Sequence, residues 1–231
     1  MTQSAGKMFP GVERGKLENE TFRRLSTFDF ADYKQPHKEA VNSFYGLNED
    51  TIAPGRKITY PVKEDSLVVF IPVAGIIDYV DSENRISLLQ CGEVQSFSLQ
   101  EGNSFTITNP FENELVSYLH LWFTFPFYAG RKDDTLEYSL GKDKNNLTEL
   151  ITQAANESFV RIALGKFEGR KETEWLLTNN NHTAFAFVLQ GAFEIENRLL
   201  EEKDGLALWN TKGLELEALS EDAIILLVEF N

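Results

Sequence analysis

Three histidines, one cysteine and scattered carboxylates are the side chains of this chain with the chemistry of a catalytic or metal site. His37 lies in the polar run Lys34-Gln35-Pro36-His37-Lys38, the setting of a solvated surface residue. His120 stands on an aromatic segment two residues before Trp122, where a half-buried imidazole satisfied by a hydrogen bond is expected. His182 follows Asn179-Asn180-Asn181, which reads as a turn. The three are too scattered in sequence to argue a site. Cys91 precedes Gly92 in a turn with no recognisable base beside it, so an inert thiol is expected. The pairs Glu172 with Glu174, and Glu215 with Glu217, have the spacing of one strand face, which solvation explains. No Gly-x-Ser-x-Gly elbow, Walker loop or dinucleotide-binding fingerprint is present.

Composition narrows the partners. The net charge is −14, unevenly spread: residues 1–60 carry nine basic and eight acidic side chains, residues 193–231 three and ten. Such a surface repels phosphate backbones and anionic membranes, so neither direct nucleic-acid binding nor membrane binding is expected. A single thiol closes no intramolecular disulfide and builds no sulfur cage, which fits a reducing compartment. The N-terminal fifteen residues lack an apolar leader. The longest uncharged apolar run, Leu67 to Ile77, is shorter than the roughly 18 residues of a spanning helix. A cytoplasmic protein is expected.

The elements that must position any site read as strands. Leu67 to Val73, Ile76 to Val80, Val94 to Leu99, Ser104 to Ile107, Leu115 to Phe125, Ala184 to Leu189, Phe193 to Ile195 and Ala223 to Phe230 are short runs rich in Val, Ile, Phe, Tyr and Leu. Gly, Asn, Asp or Pro separates them, as in a barrel or sandwich. One segment predicts a helix: Asn145 or Asn146 caps a run that places Leu147, Leu150, Ile151 and Ala154 on one face. On either side of it the same punctuation recurs. Gly75, Gly92 and Gly102 are matched by Gly191, Gly205 and Gly213 in the same order, which predicts an internal duplication with one small barrel per half. The expected domains are 1–140, a linker with a short helix at 141–157, and 158–231.

Several segments together resemble the pirin family of bicupins. Thr27-Phe28-Asp29-Phe30-Ala31-Asp32-Tyr33 resembles the family's T-F-S-F-A-D-Y, and Leu47-Asn48-Glu49-Asp50-Thr51-Ile52-Ala53-Pro54-Gly55 resembles its I-N-E-D-x-V-A-P-G. Asp81-Ser82, Gly92-Glu93-Val94-Gln95 and Leu121-Trp122 with Pro126 extend the likeness, which is specific over about residues 14 to 128. It implies an all-β bicupin, two antiparallel jelly-roll barrels with few short helices. It also implies an iron or other transition metal held in the first barrel by an H-x-H pair, a third histidine and a glutamate. Carried onto this chain, those positions fall on Pro61, Lys63, Phe105 and Ile107, none of which offers a metal donor in the form present at neutral pH. A one-residue slip substitutes Tyr60 and Val62 for the first two. No metal cofactor is therefore expected, and the degenerate site is expected in a non-catalytic or altered pirin-like protein that binds a small organic molecule or a protein partner. Tyr60, Phe70 and Phe97, with Phe105, either line an aromatic pocket or fill the space of the lost metal site as core. Lys63 is either a fixed charge for a carboxylate ligand or part of an exposed charged connection. The alternative is a quercetinase-type, metal-dependent dioxygenase with replacement ligands drawn from His120, Glu49 and Asp50. Exposed sheet edges also allow a homo-oligomer.

Overall fold

Val, Ile, Phe and Tyr favour strands because their branched or flat side chains pack well on a pleated surface, and here they recur with turn residues every few positions. A computed structural model describes residues 5–127 and 134–231; residues 1–4 and 128–133 of the expected first domain lie outside the described residues. In chain order the strands are β1 (Ala5–Phe9), β2 (Gly15–Glu18), β3 (Phe22–Ser26), β4 (Phe44–Ile52), β5 (Lys57–Pro61), β6 (Ser66–Ala74) and β7 (Ile76–Asp81). Next come β8 (Ile86–Gln90), β9 (Glu93–Leu99), β10 (Ser104–Thr108), β11 (Val116–Thr124), β12 (Asp134–Glu137), β13 (Leu147–Ala155) and β14 (Ser158–Phe167). The last are β15 (Glu172–Leu176), β16 (Thr183–Gln190), β17 (Phe193–Ile195), β18 (Arg198–Leu200), β19 (Gly205–Trp209), β20 (Gly213–Ala218) and β21 (Ala223–Phe230). One turn of 3₁₀ helix, Gly11–Glu13, is the single helical element among the described residues. None is long and apolar enough to cross a membrane. The described residues are all-β, as expected.

Two units divide it. The first in sequence spans Gly15–Tyr138 and pairs a seven-stranded sheet, in the order β12-β9-β6-β11-β4-β3-β2, with a four-stranded sheet, β5-β10-β7-β8. The second comprises Ser139–Asn231 together with residues 5–14 and pairs the sheets β1-β19-β16-β21-β14-β13 and β15-β20-β17-β18. Adding ten to each strand number of β5-β10-β7-β8 gives β15-β20-β17-β18, and the same step takes β9-β6-β11-β4-β3 to β19-β16-β21-β14-β13. The duplication is thus one of topology, strand for strand. Gly75 and Gly191 mark the same corner in both units with φ of +79° and +78°, a left-handed backbone that glycine adopts without strain.

The helix expected at 141–157 is absent. Its residues form β13, which returns through a turn at Asn156 to pair antiparallel with β14. The reason for the false helical pattern is a register shift between Glu149 and Ile151: the bulge turns two successive residues, Leu150 and Ile151, to the buried side. Leu147, Leu150, Ile151 and Ala154 then mimic helical spacing on a strand. Asn145 adopts a φ of +65°, and its side chain braces the turn against Glu168 instead of capping a helix. The boundaries also differ from the expected 1–140 and 158–231, because β1 pairs with β19 in the second unit.

Candidate functional site

In the first unit, neighbouring strands of the large sheet bring one row of polar side chains inward. Arg24 on β3 stands opposite Asp50 on β4, and Asp50 stands opposite Tyr118 on β11. Residues two apart on a strand share a face, so Asn48 and His120 form the next row of the same interior. Tyr60 reaches this group from β5 of the other sheet. Asp50 is wholly buried and accepts from Arg24 Nε at 2.8 Å and Nη2 at 2.5 Å, and from the Tyr60 hydroxyl at 2.5 Å. A carboxylate only accepts, so Tyr60 donates to Asp50 and the Tyr118 hydroxyl, 2.5 Å away, donates to Tyr60.

His120 has a defined proton position. The Trp122 indole N–H is only a donor and lies 2.6 Å from His120 Nδ1, so Nδ1 accepts and the ring proton sits on Nε2. That nitrogen faces Asp50 Oδ1 at 3.3 Å without hydrogen-bond alignment, and the contact is electrostatic. Burial pushes the imidazole pKa down, and Asp50 opposes this only in part. Burial would raise the Asp50 carboxyl, but His120 and the forked Arg24 contact oppose it and hold it well below the usual carboxylate range. With His120 neutral, Arg24 is the decisive cause. Arg24 is itself lowered by burial but held above its ordinary value by Asp50. Tyr60 and Tyr118 are pushed far up by burial and by the Asp50 charge, so both stay protonated.

These directions predict acid unfolding in two stages. His120 has a folded pKa below its unfolded value of about 6.5, so its contribution is complete above that pH and declines below it as the unfolded chain takes up the proton first. Asp50, also depressed, contributes fully above roughly pH 4 and loses that contribution as pH falls further. Urea midpoints measured from pH 7.5 to 3 should fall gently below about 6.5 and steeply below about 4, and His120→Gln should remove the first stage. A flat profile from pH 7 to 5 that His120→Gln leaves unchanged would contradict the assignment.

The structure sorts the residues singled out in the sequence. Pro61 and Lys63 are exposed, whereas Ile58, Tyr60 and Val62 are buried, so of the two alternatives only Tyr60 and Val62 face the interior. Alternation along β5 and the two residues after it produces this, because a slip by one residue reverses every side chain. Phe105 and Ile107 do face inward, opposite Tyr60 and Ile58 in the ladder. Their surroundings are packed rings: Tyr60 stacks on Phe105 at 4.8 Å, Tyr79 on Phe97 at 3.8 Å, and Phe70 meets both Phe97 and Phe105 edge-on. Phe70 and Phe97 therefore belong to the solid core and not to a pocket wall.

Of the replacement ligands, His120 and Asp50 come together, but the Arg24 guanidinium already donates to both Asp50 oxygens. Glu49 follows the opposite face of β4. Among the described residues no three His, Cys, Asp or Glu side chains converge. Tyr, Val, Phe and Ile at the four interior positions do not fit a transition metal. The remaining histidines lie elsewhere: His37 is in an exposed loop, and buried His182 of the second unit contacts Glu229 through Nδ1 at 2.8 Å. Cys91 is exposed. The acidic pairs belong to a shallow outer face where Glu172 and Glu194 both stand opposite Glu217, as a solvated surface allows.

Sequence reasoning did not anticipate Arg24, whose neighbour Arg23 suggests ordinary surface charge. It lines an open cavity of about 570 Å³ in the first unit, along with Phe22, Phe30, Tyr45, Tyr60 and Trp122. Pro61 and Lys63 line it too. A volume of this order suits a small organic molecule.

Comparison with known proteins agrees with this architecture. Residues 153–230 match the family described as the quercetinase C-terminal cupin domain. The chain is 21% identical over 230 residues to quercetin 2,3-dioxygenase of Escherichia coli K12, with 93% of this chain and 94% of the relative covered. The nickel(II) complex of the bacterial pirin YhhW from Escherichia coli superimposes with a TM-score of 0.82 at 16% identity, covering 97% and 98% of the two chains. A quercetin 2,3-dioxygenase structure from Acinetobacter baumannii gives 0.76 at 18% identity, with 99% and 86% covered. At these identities the structural likeness is one of fold.

Proposed function

We propose that this chain, a pirin-like bicupin, is a metal-independent binding protein for a small organic molecule, which enters the cavity above Arg24 in the first unit. The observation that carries this reading is the interior of the barrel. Where the fold's relatives would need several nitrogen or oxygen donors around an ion, this chain packs Tyr60, Val62, Phe105 and Ile107, and neutralises Asp50 with a guanidinium. A guanidinium and a divalent cation compete for the same carboxylate oxygens, and the Arg24 fork occupies both. The polar network left in the core has two neutral tyrosines, a neutral imidazole and one ion pair. None of these groups is poised to change its protonation near neutral pH.

The dioxygenase reading, suggested by the printed names of the relatives, needs a site able to hold a redox metal. Aerobic incubation with quercetin and, in turn, iron(II), nickel(II), copper(II) or manganese(II) separates the two. Oxygen uptake should not exceed that of the free metal and flavonol. Metal-dependent turnover that saturates with protein would overturn the proposal.

A further inference from the structure

Arginine presents five N–H donors in one plane, and the fork to Asp50 uses only Nε and Nη2. Nη1 has no hydrogen-bond partner among the described residues. Its hydrogens and the second hydrogen of Nη2 lie along the edges of the guanidinium turned away from the Asp50 carboxylate. The side chain is only 8% exposed, yet it lines the cavity. Its faces are covered: the guanidinium carbon lies 5.4, 5.3 and 4.9 Å from the ring centroids of Phe22, Phe30 and Tyr60. What such a group can still offer a ligand is therefore its free edge, where Nη1–H and Nη2–H are parallel and spaced to meet two oxygens of one carboxylate.

The rest of the cavity sets the remainder of the ligand. Tyr45 already shares a hydrogen bond with Ser66, and the Trp122 indole N–H is given to His120, so both present ring surface and no further donor from those groups. With Phe22 and Phe30 they make aromatic walls. The lining lysines Lys34, Lys57 and Lys63 are matched in number by Asp29, Asp32 and Glu64, so no excess of rim charge selects an anion. Selection falls to Arg24.

From this we infer that the cavity binds a planar aromatic carboxylate, its ring between the aromatic walls and its two oxygens on the free edge of Arg24. Arg24 thus bridges two carboxylates, one from Asp50 and one from the ligand. A neutral amide of the same shape accepts through one oxygen only and brings an N–H₂ donor against a donor edge. This inference rests on the metal-independent reading above and names its ligand class.

The test is calorimetric titration of the intact chain with 2-naphthoate and 2-naphthamide, each with and without EDTA. We expect naphthoate to bind at least about tenfold more tightly than the amide, with EDTA making no difference. In the variant combining Arg24→Met with Asp50→Asn the preference should fall below about twofold, and in Lys63→Gln it should persist. Equal binding of acid and amide, absence of binding by either, or a preference that survives without Arg24 would overturn the inference. Binding abolished by EDTA would instead overturn the metal-independent reading on which it rests. Should the double variant fail to fold, the ¹⁵N guanidinium resonances of Arg24 in the unaltered chain decide. A shift with naphthoate and not with the amide supports the contact, and no shift with either refutes it.

Discussion

Replacing Asp50 by Asn lowers the unfolding free energy by about 3–5 kcal/mol, the range measured when one partner of a buried ion pair is removed. Arg24 cannot shed its proton in response, and the substituted amide presents an N–H₂ group towards donors that the carboxylate accepted. The Tyr118–Tyr60–Asp50 relay loses the charge at its end as well. Adding Arg24→Met to Asp50→Asn should restore part of the loss, because the buried cation is then replaced by an apolar stem of similar length. Urea unfolding of the two single variants and the double variant measures this directly. A double variant as unstable as the sum of its parts would show that the pair does not act as a unit.

Glu229→Ala costs about 3 kcal/mol by a different route, in the second unit. Its carboxylate is fully buried and accepts from the Thr178 backbone N–H at 2.7 Å, the Thr178 hydroxyl at 2.5 Å, His182 Nδ1 at 2.8 Å and Arg161 Nη1 at 3.2 Å. Thr178 and His182 lie in the connection between β15 and β16, which these bonds fasten to the last strand, and Arg161 joins them from β14. Removing the acceptor leaves several of them without partners in a place water enters poorly, each costing about 1–3 kcal/mol before relaxation. Amide exchange at Thr178 and Asn179 should accelerate more than at the strand residues around them. Unchanged exchange at these two amides would show that Glu229 does not hold the connection.

The strands that were legible in the sequence are those whose apolar runs are uninterrupted. Phe193–Ile195 and Ala223–Phe230 have the expected ends, and β6 extends the expected run by one residue at each end. β4 was not legible as a strand because Asn48, Glu49 and Asp50 interrupt it, and they do so because two of the three belong to the buried polar rows. The error at β13 has a related origin: a bulge is a local departure from period two, and period two is the only signal a short strand carries. Along β5 and just past its end the alternation Ile58, Tyr60, Val62 was readable, but spacing counted from Gly55 led to Pro61 and Lys63.

The candidate site was harder to read than the fold. His120 and Trp122 are two apart on one strand, and their hydrogen bond follows from that spacing. Arg24 and Asp50 are 26 residues apart, and only the pairing of β3 with β4 sets them opposite each other. Arg23 and Arg24 are chemically identical in the sequence. The pleat sends Arg24 inward, and the buried Asp50 makes that tolerable.

On the proposed reading, the barrel interior of the first unit, with its arginine–aspartate pair and packed aromatic rings, holds no metal. Elemental analysis of the tag-free chain tests it most directly, with iron, nickel, copper, manganese and zinc measured against protein both as purified and after incubation with each ion under reducing conditions. The account predicts that none is retained near stoichiometry after desalting. One equivalent of any of them, retained by the unaltered chain and lost on Asp50→Asn or His120→Gln, would contradict it.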